Sequence, residues 1–86
     1  MSEPWSYAVT PQARRDLRRL DPPVRRRVAE ALDRFVGDPF AADIRKLDAA
    51  EWRLRVGDWR VRFTFDEEQR LIVVLRVLPR GRAYRD

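Results

Sequence analysis

Four arginines have the spacing needed to form one cationic surface. They alternate with apolar residues in two short arms, residues 52–56 and 59–63, and a period of two is typical of half-buried strands. Between the arms, Gly57 and Asp58 form a glycine-first loop that favours a type II′ hairpin turn. A hairpin closed there puts the apolar side chains on one face and the four arginines on the other. The predicted pairs are Val56–Trp59, Arg55–Arg60, Leu54–Val61 and Arg53–Arg62.

This arginine face has the chemistry of a polyanion-binding surface. Like charges directly opposite each other destabilise a hairpin, so folding alone would not select facing arginines. A bound phosphate backbone would relieve the repulsion, because a guanidinium group matches a phosphate with two parallel hydrogen bonds. A solvated, arginine-rich face is the simpler alternative. Facing pairs argue against it, because protein surfaces usually mix charges of both signs.

The composition of the 86-residue chain favours the same interpretation. The net charge is +5, and Lys46 is the only lysine among 19 cationic residues. The isoelectric point near 10.9 is in the range expected of a nucleic-acid-binding domain. An acidic protein partner would be attracted equally well by the positive charge of the chain.

The absence of cysteine and histidine narrows the possible chemistry. It removes disulfides, thiol nucleophiles, the usual zinc ligands and the usual general base. We therefore expect no metal site, no cofactor and no small-molecule cofactor partner. No segment is long and apolar enough to predict a membrane span, and the first residues lack a signal-peptide pattern. We expect a cytoplasmic protein.

The chain as a whole predicts one domain, residues 1–86, of the α+β class. A strand candidate at residues 6–10 leads into a helix that begins at Pro11, with Thr10 as its N-cap. A second helix covers about residues 22–36, and residues 38–50 are expected to form a loop. The predicted order is β-α-α-β-β-β: an N-terminal strand, a helical hairpin, and an antiparallel sheet with both helices on one face and residues 71–78 as the central strand.

This architecture leaves one sheet face open, and by parity it is the arginine face. Counting in twos along the last strand predicts that Arg80, Arg82 and Tyr84 project to the same side. Trp52 and Trp59 fall on the opposite side and are expected in the core. The arginines of the two helices are expected to be solvated; they are Arg14, Arg15, Arg18, Arg19 and Arg25 to Arg27.

Several motifs resemble the RelE/ParE superfamily of bacterial toxins, the toxic halves of toxin–antitoxin pairs. The resemblance spans nearly the whole chain and is densest in the hairpin. The chain departs from it at Pro79, where many relatives carry histidine, and at Ala83, where valine is usual. The matching segments are YAVTPQARRDLRRL at residues 7–20, DP at 38–39, RKL at 45–47, WRLRVGDWRV at 52–61 and VLPRGRAY at 77–84.

The resemblance implies specific roles. RelE-type members cleave messenger RNA in the ribosomal A site through basic sheet residues and a C-terminal tyrosine, without a metal. The 2′-OH attacks the adjacent phosphate and leaves a 2′,3′-cyclic phosphate. The implied catalytic residues are Arg60, Arg80 and Tyr84, with Tyr84 as the proton acceptor. The expected RNA- and phosphate-binding residues are Arg53 and Arg55, which match the family, and Arg62 and Arg82, which share the face.

Other readings of the resemblance remain open. ParE-type members share the fold but inhibit DNA gyrase by binding it, and a degenerate toxin would bind only its antitoxin or RNA. Retention of the whole basic set and the tyrosine favours the nuclease. The expected partners are an acidic antitoxin encoded in a neighbouring gene, the ribosome and messenger RNA.

Overall fold

The computed structural model describes residues 4–81. Within them, a strand and two helices precede a run of strands, and the predicted α+β class is confirmed. None of the described helices is long and apolar enough to cross a membrane. The elements are β1 (Ser6–Val9), α1 (Pro11–Arg18), α2 (Pro22–Gly37), a 3₁₀ turn (Pro39–Ala41), β2 (Ile44–Lys46), β3 (Glu51–Val56), β4 (Trp59–Asp66) and β5 (Leu71–Pro79).

The sheet has five strands in the order β1-β5-β4-β3-β2. It differs from the prediction in three respects. Residues 44–46, expected in a loop, form the edge strand β2, which pairs with β3. The middle position belongs to β4, with β5 between it and β1. Finally, β1 runs parallel to β5, so the sheet is mixed. Both helices and three strands separate β1 from β5 along the chain, so no tight turn forces these two neighbours to be antiparallel.

The two helices begin and end where their local chemistry dictates. Thr10 caps α1, because its Oγ1 accepts a hydrogen bond from the backbone N–H of Ala13 at 3.1 Å. Each helix has proline in its first turn, where the missing N–H costs nothing. At the other end of α1, the Arg25 guanidinium donates to the carbonyls of Leu17 and Leu20, each at 3.0 Å. Arg25 is therefore a structural cap and not only a solvated charge.

One hydrophobic core joins the helices to the sheet. Its largest fully buried side chains include Phe63 of β4 and Leu32 of α2. Trp52 and Trp59 are half-buried and pack against this core, as predicted. The remaining core side chains come from both helices, the turn between them and all three long strands: Ala13, Leu20, Val28, Phe35, Leu54, Val56, Val61, Ile72, Val74 and Val77.

Beyond the end of β1, the edge of β5 is covered by α1. The pairing of β4 with β5 shifts between Arg62 and Phe63, which leaves Leu75 as an extra, bulged residue. Thr10 Oγ1 donates to the carbonyl of Leu75 at 3.2 Å. Asp16, which is only 5% exposed, accepts the backbone N–H of Val77 at 2.9 Å. These contacts satisfy edge groups that β1 is too short to reach.

Asp16 also pairs with Arg76, whose Nε lies 2.8 Å from its carboxylate. Burial raises the pKa of Asp16, but the hydrogen bonds from Arg76 and from the Val77 amide outweigh burial and hold that pKa below its ordinary value. The hydrogen bond to Asp16 in turn raises the pKa of Arg76. The pair therefore clamps α1 to β5 while Asp16 is ionised.

We predict that Asp16→Asn lowers the free energy of unfolding at neutral pH by about 1–3 kcal/mol, because it removes a buried charged partner. Since the folded-state pKa of Asp16 is lowered, its contribution is complete above the unfolded pKa of about 3.9 and is lost as the pH falls through the folded value. Urea denaturation at a series of pH values measures it. The difference between wild type and variant should shrink in acid, whereas Glu30→Gln, an exposed control on α2, should differ little from wild type throughout. A pH-independent difference for Asp16→Asn would contradict this account.

Candidate anion-binding site

The hairpin of β3 and β4 has the predicted register. The arginines face one another as expected, Arg55 opposite Arg60 and Arg53 opposite Arg62. Gly57 has φ +57°, and Asp58 is not among the residues with positive φ. A positive φ at the first loop position alone is the pattern of a type II′ turn. The four side chains therefore belong to the sheet face opposite the core.

The arginine face is less open than its sequence predicts. Arg53 and Arg60 are 4% and 3% exposed, whereas the side chains of Arg55 and Arg62 are 46% and 25% exposed. Nη1 of Arg60 donates to the carbonyls of Gly57 at 2.8 Å and of Trp59 at 3.0 Å. Arg60 therefore turns back on the hairpin loop and holds it, with its charge fixed in place.

Two carboxylates that sequence reasoning missed offset the facing charges. Asp43, immediately before β2, lies 3.5 Å from Nη1 of Arg53 and 3.7 Å from Nε of Arg55. Glu51 is hydrogen-bonded and ion-paired to Arg62. Parity could have placed Glu51 on this face, because it stands two residues before Arg53. No sequence signal locates Asp43, because β2 was not predicted.

Strand β5 ends just before Arg80 and brings this residue to the hairpin turn. The backbone N–H of Arg80 donates to the carbonyl of Asp58 at 2.8 Å. Leu78 lies opposite Arg60, and Arg80 stands two residues further on, just past the end of β5, so the predicted place of its side chain on this face stays a prediction. Its side chain is exposed. Arg82 and Tyr84 lie outside the described residues, so their predicted place on this face stays a prediction.

An arginine from the helical layer also reaches the turn. A Cβ built on Gly57 would lie 3.8 Å from Nη1 of Arg27, so the guanidinium of this α2 residue sits beside the loop that Arg60 and Arg80 contact. No sequence signal distinguishes Arg27 from Arg25 and Arg26, and all three were expected to be solvated. The guanidinium groups of Arg27 and Arg60 and the backbone of Arg80 thus meet at the turn formed by Gly57 and Asp58.

The basic surface continues to the β5 edge. A cleft of about 470 Å³ there has Arg19, Arg62 and Arg76 on its walls, with Trp59 as an aromatic wall. Two of these arginines already hold carboxylates, Arg62 with Glu51 and Arg76 with Asp16. Within residues 4–81, no group of three or more acidic residues could hold a metal ion. The arginines of the hairpin turn and of this cleft can bind anions through their guanidinium groups.

Comparison with known proteins identifies the family. Residues 7–84 match the sequence profile described as the ParE toxin of the type II toxin–antitoxin system, parDE. The chain belongs to the ParE toxin family. The resemblance to the RelE/ParE superfamily is therefore confirmed, and the protein is a toxin of a type II toxin–antitoxin system. No protein with a curated description matches the sequence of this toxin.

Solved structures similar to the toxin are RelE structures. A chain of the toxin–antitoxin complex RelBE2 from Mycobacterium tuberculosis is 29% identical, with a TM-score of 0.83 over 91% of this toxin and 100% of that chain. A chain of the RelE–RelB complex from Pyrococcus horikoshii is 27% identical, with a TM-score of 0.79 over 94% and 100% of the two chains. The isolated RelE toxin of E. coli, at 17% identity and a TM-score of 0.73 over 92% and 87%, shares the fold.

We predict that two arginines of the face differ sharply in their effect on stability. Arg60→Ala should lower the free energy of unfolding by about 1–3 kcal/mol, because it removes buried hydrogen bonds from a charged donor to the hairpin turn. Arg55→Ala, a matched loss of charge at an exposed position, should change it by less than about 0.5 kcal/mol. Urea denaturation of both variants measures this, and equal midpoints would show that the contacts of Arg60 contribute nothing.

Proposed function

We propose that this toxin is a cytoplasmic, ribosome-dependent endoribonuclease that cuts messenger RNA, and that residues 1–86 act as one toxin domain. The observation that supports the proposal best is that one hairpin turn holds the Arg60 guanidinium and anchors the backbone of Arg80, beside the exposed Arg55. A guanidinium group fixed before substrate arrives is what stabilisation of a doubly charged phosphorane requires. The similarity to RelE structures is in keeping with this activity.

The proposed reaction needs three elements. The ribose 2′-OH forms a bond to the adjacent phosphorus and gives its proton to Tyr84, which acts as the base. Arg60 and Arg80 stabilise the negative charge that builds on the phosphorane oxygens. The bond to the 5′ oxygen then breaks, and this leaving group takes a proton from an adjacent donor or water, giving a 2′,3′-cyclic phosphate and a 5′-OH. Arg53, Arg55, Arg62 and Arg82 bind the flanking phosphates.

Dependence on the ribosome follows from the proton acceptor. A tyrosine has an ordinary pKa of about 10, so little phenolate exists at neutral pH, although neighbouring arginines favour it. Arginine is not expected to supply the missing base, because its pKa is above 12. Such a site needs its substrate held in the reactive geometry, and a ribosome with messenger RNA in the A site supplies that positioning.

An antitoxin is the second proposed partner. The two most similar solved structures described above are toxin–antitoxin complexes. A net charge of +5 and a basic sheet face fit an acidic, partly disordered segment that wraps the domain. Covering the arginine face or the Tyr84 region would block access of RNA to the proposed site.

A non-enzymatic toxin that inhibits DNA gyrase is the alternative. It is favoured by the family match, which is to ParE, and by the burial of Arg53 and Arg60, which is less than ideal for direct contact with substrate. Fold alone does not decide between the two activities.

We predict that purified toxin added to a reconstituted translation reaction cuts messenger RNA only when ribosomes are present. Primer extension maps the cuts. A parallel gyrase assay, which measures supercoiling of relaxed plasmid, should show no inhibition at the same toxin concentration. Inhibition of supercoiling without RNA cuts would replace the proposal with the gyrase alternative. The absence of both effects would indicate a degenerate toxin.

Variants in the same translation assay separate the site from general charge. Arg80→Ala and Tyr84→Phe should each lower the cleavage rate by about 100-fold or more, the scale of losing one preorganised group at the transition state. The matched control is Arg14→Ala, which removes an exposed arginine from α1 and should stay within a few-fold of wild type. Equal rates for Arg80→Ala and Arg14→Ala would place the chemistry elsewhere.

A further inference from the structure

Asp43 is held against the arginine face by its own backbone. Its carbonyl accepts the backbone N–H of Arg55 at 3.1 Å and Nη1 of Arg53 at 3.4 Å. This anchoring fixes the Cα of Asp43 beside the two arginines that precede the hairpin turn. Its carboxylate then faces both guanidinium groups, one oxygen toward Arg53 and the other toward Arg55.

The carboxylate of Asp43 has the position and the chemistry of a bound phosphate. Two anionic oxygens on one centre face two guanidinium groups, which is the arrangement that a phosphodiester would adopt there. The N–O distances of 3.5 and 3.7 Å are longer than those of strong charge-assisted hydrogen bonds. The Asp43 side chain is also 60% exposed, so it can rotate into solvent without leaving a buried charge.

Glu51 provides a contrast on the same face. Its side chain is 18% exposed and it is hydrogen-bonded to Arg62. A phosphate arriving at Arg62 would have to break a close, partly buried pair, whereas at Arg53 and Arg55 it would replace longer contacts from a carboxylate that is itself exposed. The exchangeable position on the face is therefore the one that Asp43 occupies.

We propose that Asp43 is a built-in competitor for RNA phosphate at Arg53 and Arg55, and that it weakens the binding of free RNA to the toxin. This inference rests on the proposed function, because it assumes that the face binds RNA. When a phosphate binds, the Asp43 carboxylate leaves the two arginines and the phosphate takes its place. The competition lowers the affinity of this strongly basic toxin for free RNA, and an additional partner that presents the RNA would compensate for that loss.

The test compares Asp43→Asn with wild type in binding a short fluorescein-labelled oligouridylate, measured by fluorescence anisotropy over a range of salt concentrations. Asparagine keeps the backbone carbonyl but removes the charge. Affinity should rise by about two- to fivefold, the scale of an exposed ion pair. The plot of log affinity against log salt should steepen by up to about 0.7, because in wild type the displaced Asp43 carboxylate attracts a cation again and offsets one of the counterions that the RNA releases.

Two controls make the result specific. Glu68→Gln makes the same change in net charge in the exposed turn between β4 and β5, and it should raise affinity less than Asp43→Asn does. Arg55→Gln supplies a background in which the gain from Asp43→Asn should shrink, because one of the two competing contacts is gone. Thermal melts of all variants verify folding.

Equal gains in Asp43→Asn and Glu68→Gln, or an undiminished gain in the Arg55→Gln background, would overturn the competitor role while leaving the RNA-binding face intact. Absence of oligouridylate binding by every variant at low salt would overturn both this inference and the RNA contact on which the proposed function depends.

Discussion

The alternation of the β3–β4 hairpin ties the candidate site to the hydrophobic core. Successive side chains of a strand point to opposite faces, so the burial of Leu54, Val56, Val61 and Phe63 beneath the helices requires that the intervening arginines point the other way. A slip of one residue in register would send every arginine into the core. The apolar residues therefore maintain the cationic face as firmly as they maintain the fold.

The protein compensates for the crowding of positive charge by contacts with neighbouring oxygens. Backbone carbonyls at the turn accept from Arg60, Asp43 lies against Arg53 and Arg55, and Glu51 pairs with Arg62. These contacts differ in strength with exposure, because a surface pair contributes little and a buried group needs its partners. The face thus combines fixed charges at the turn with a position at Arg55 that is open to exchange.

The local parts of this structure were predictable and the long-range parts were not. The hairpin register, the helix start at Pro11 and the core position of the tryptophans followed from periodicity and turn chemistry within short segments. The parallel pairing of β1 with β5 and the Asp16–Arg76 pair join residues about sixty positions apart, and no local signal encodes them or the bulge at Leu75. Strand β2 escaped prediction because three residues are too few to show a period.

The same distinction applies to the site. Counting along β5 predicts that Arg80 lies on the arginine face, and the pairing is regular from Arg76 to Pro79, the residue before it. The burial of Arg53 and Arg60 could not be predicted in this way, since parity gives the direction of a side chain and not what surrounds it. Arg27 and Asp43 reach the site from α2 and from the segment before β2, so their place there depends on the packing of those elements and could not be predicted from local sequence.

The most direct test of the central claim, that the arginine face promotes attack by a ribose 2′-OH, is cleavage on the ribosome of a messenger RNA with one 2′-deoxynucleotide at the mapped cut site. A second messenger RNA carries the deoxy substitution one nucleotide downstream and keeps the attacking hydroxyl. The account predicts that the first RNA stays intact at that position while the second is cut like the unmodified RNA. Cleavage of the first RNA at the unmodified rate would contradict the account, because the 2′-OH could not then be the nucleophile.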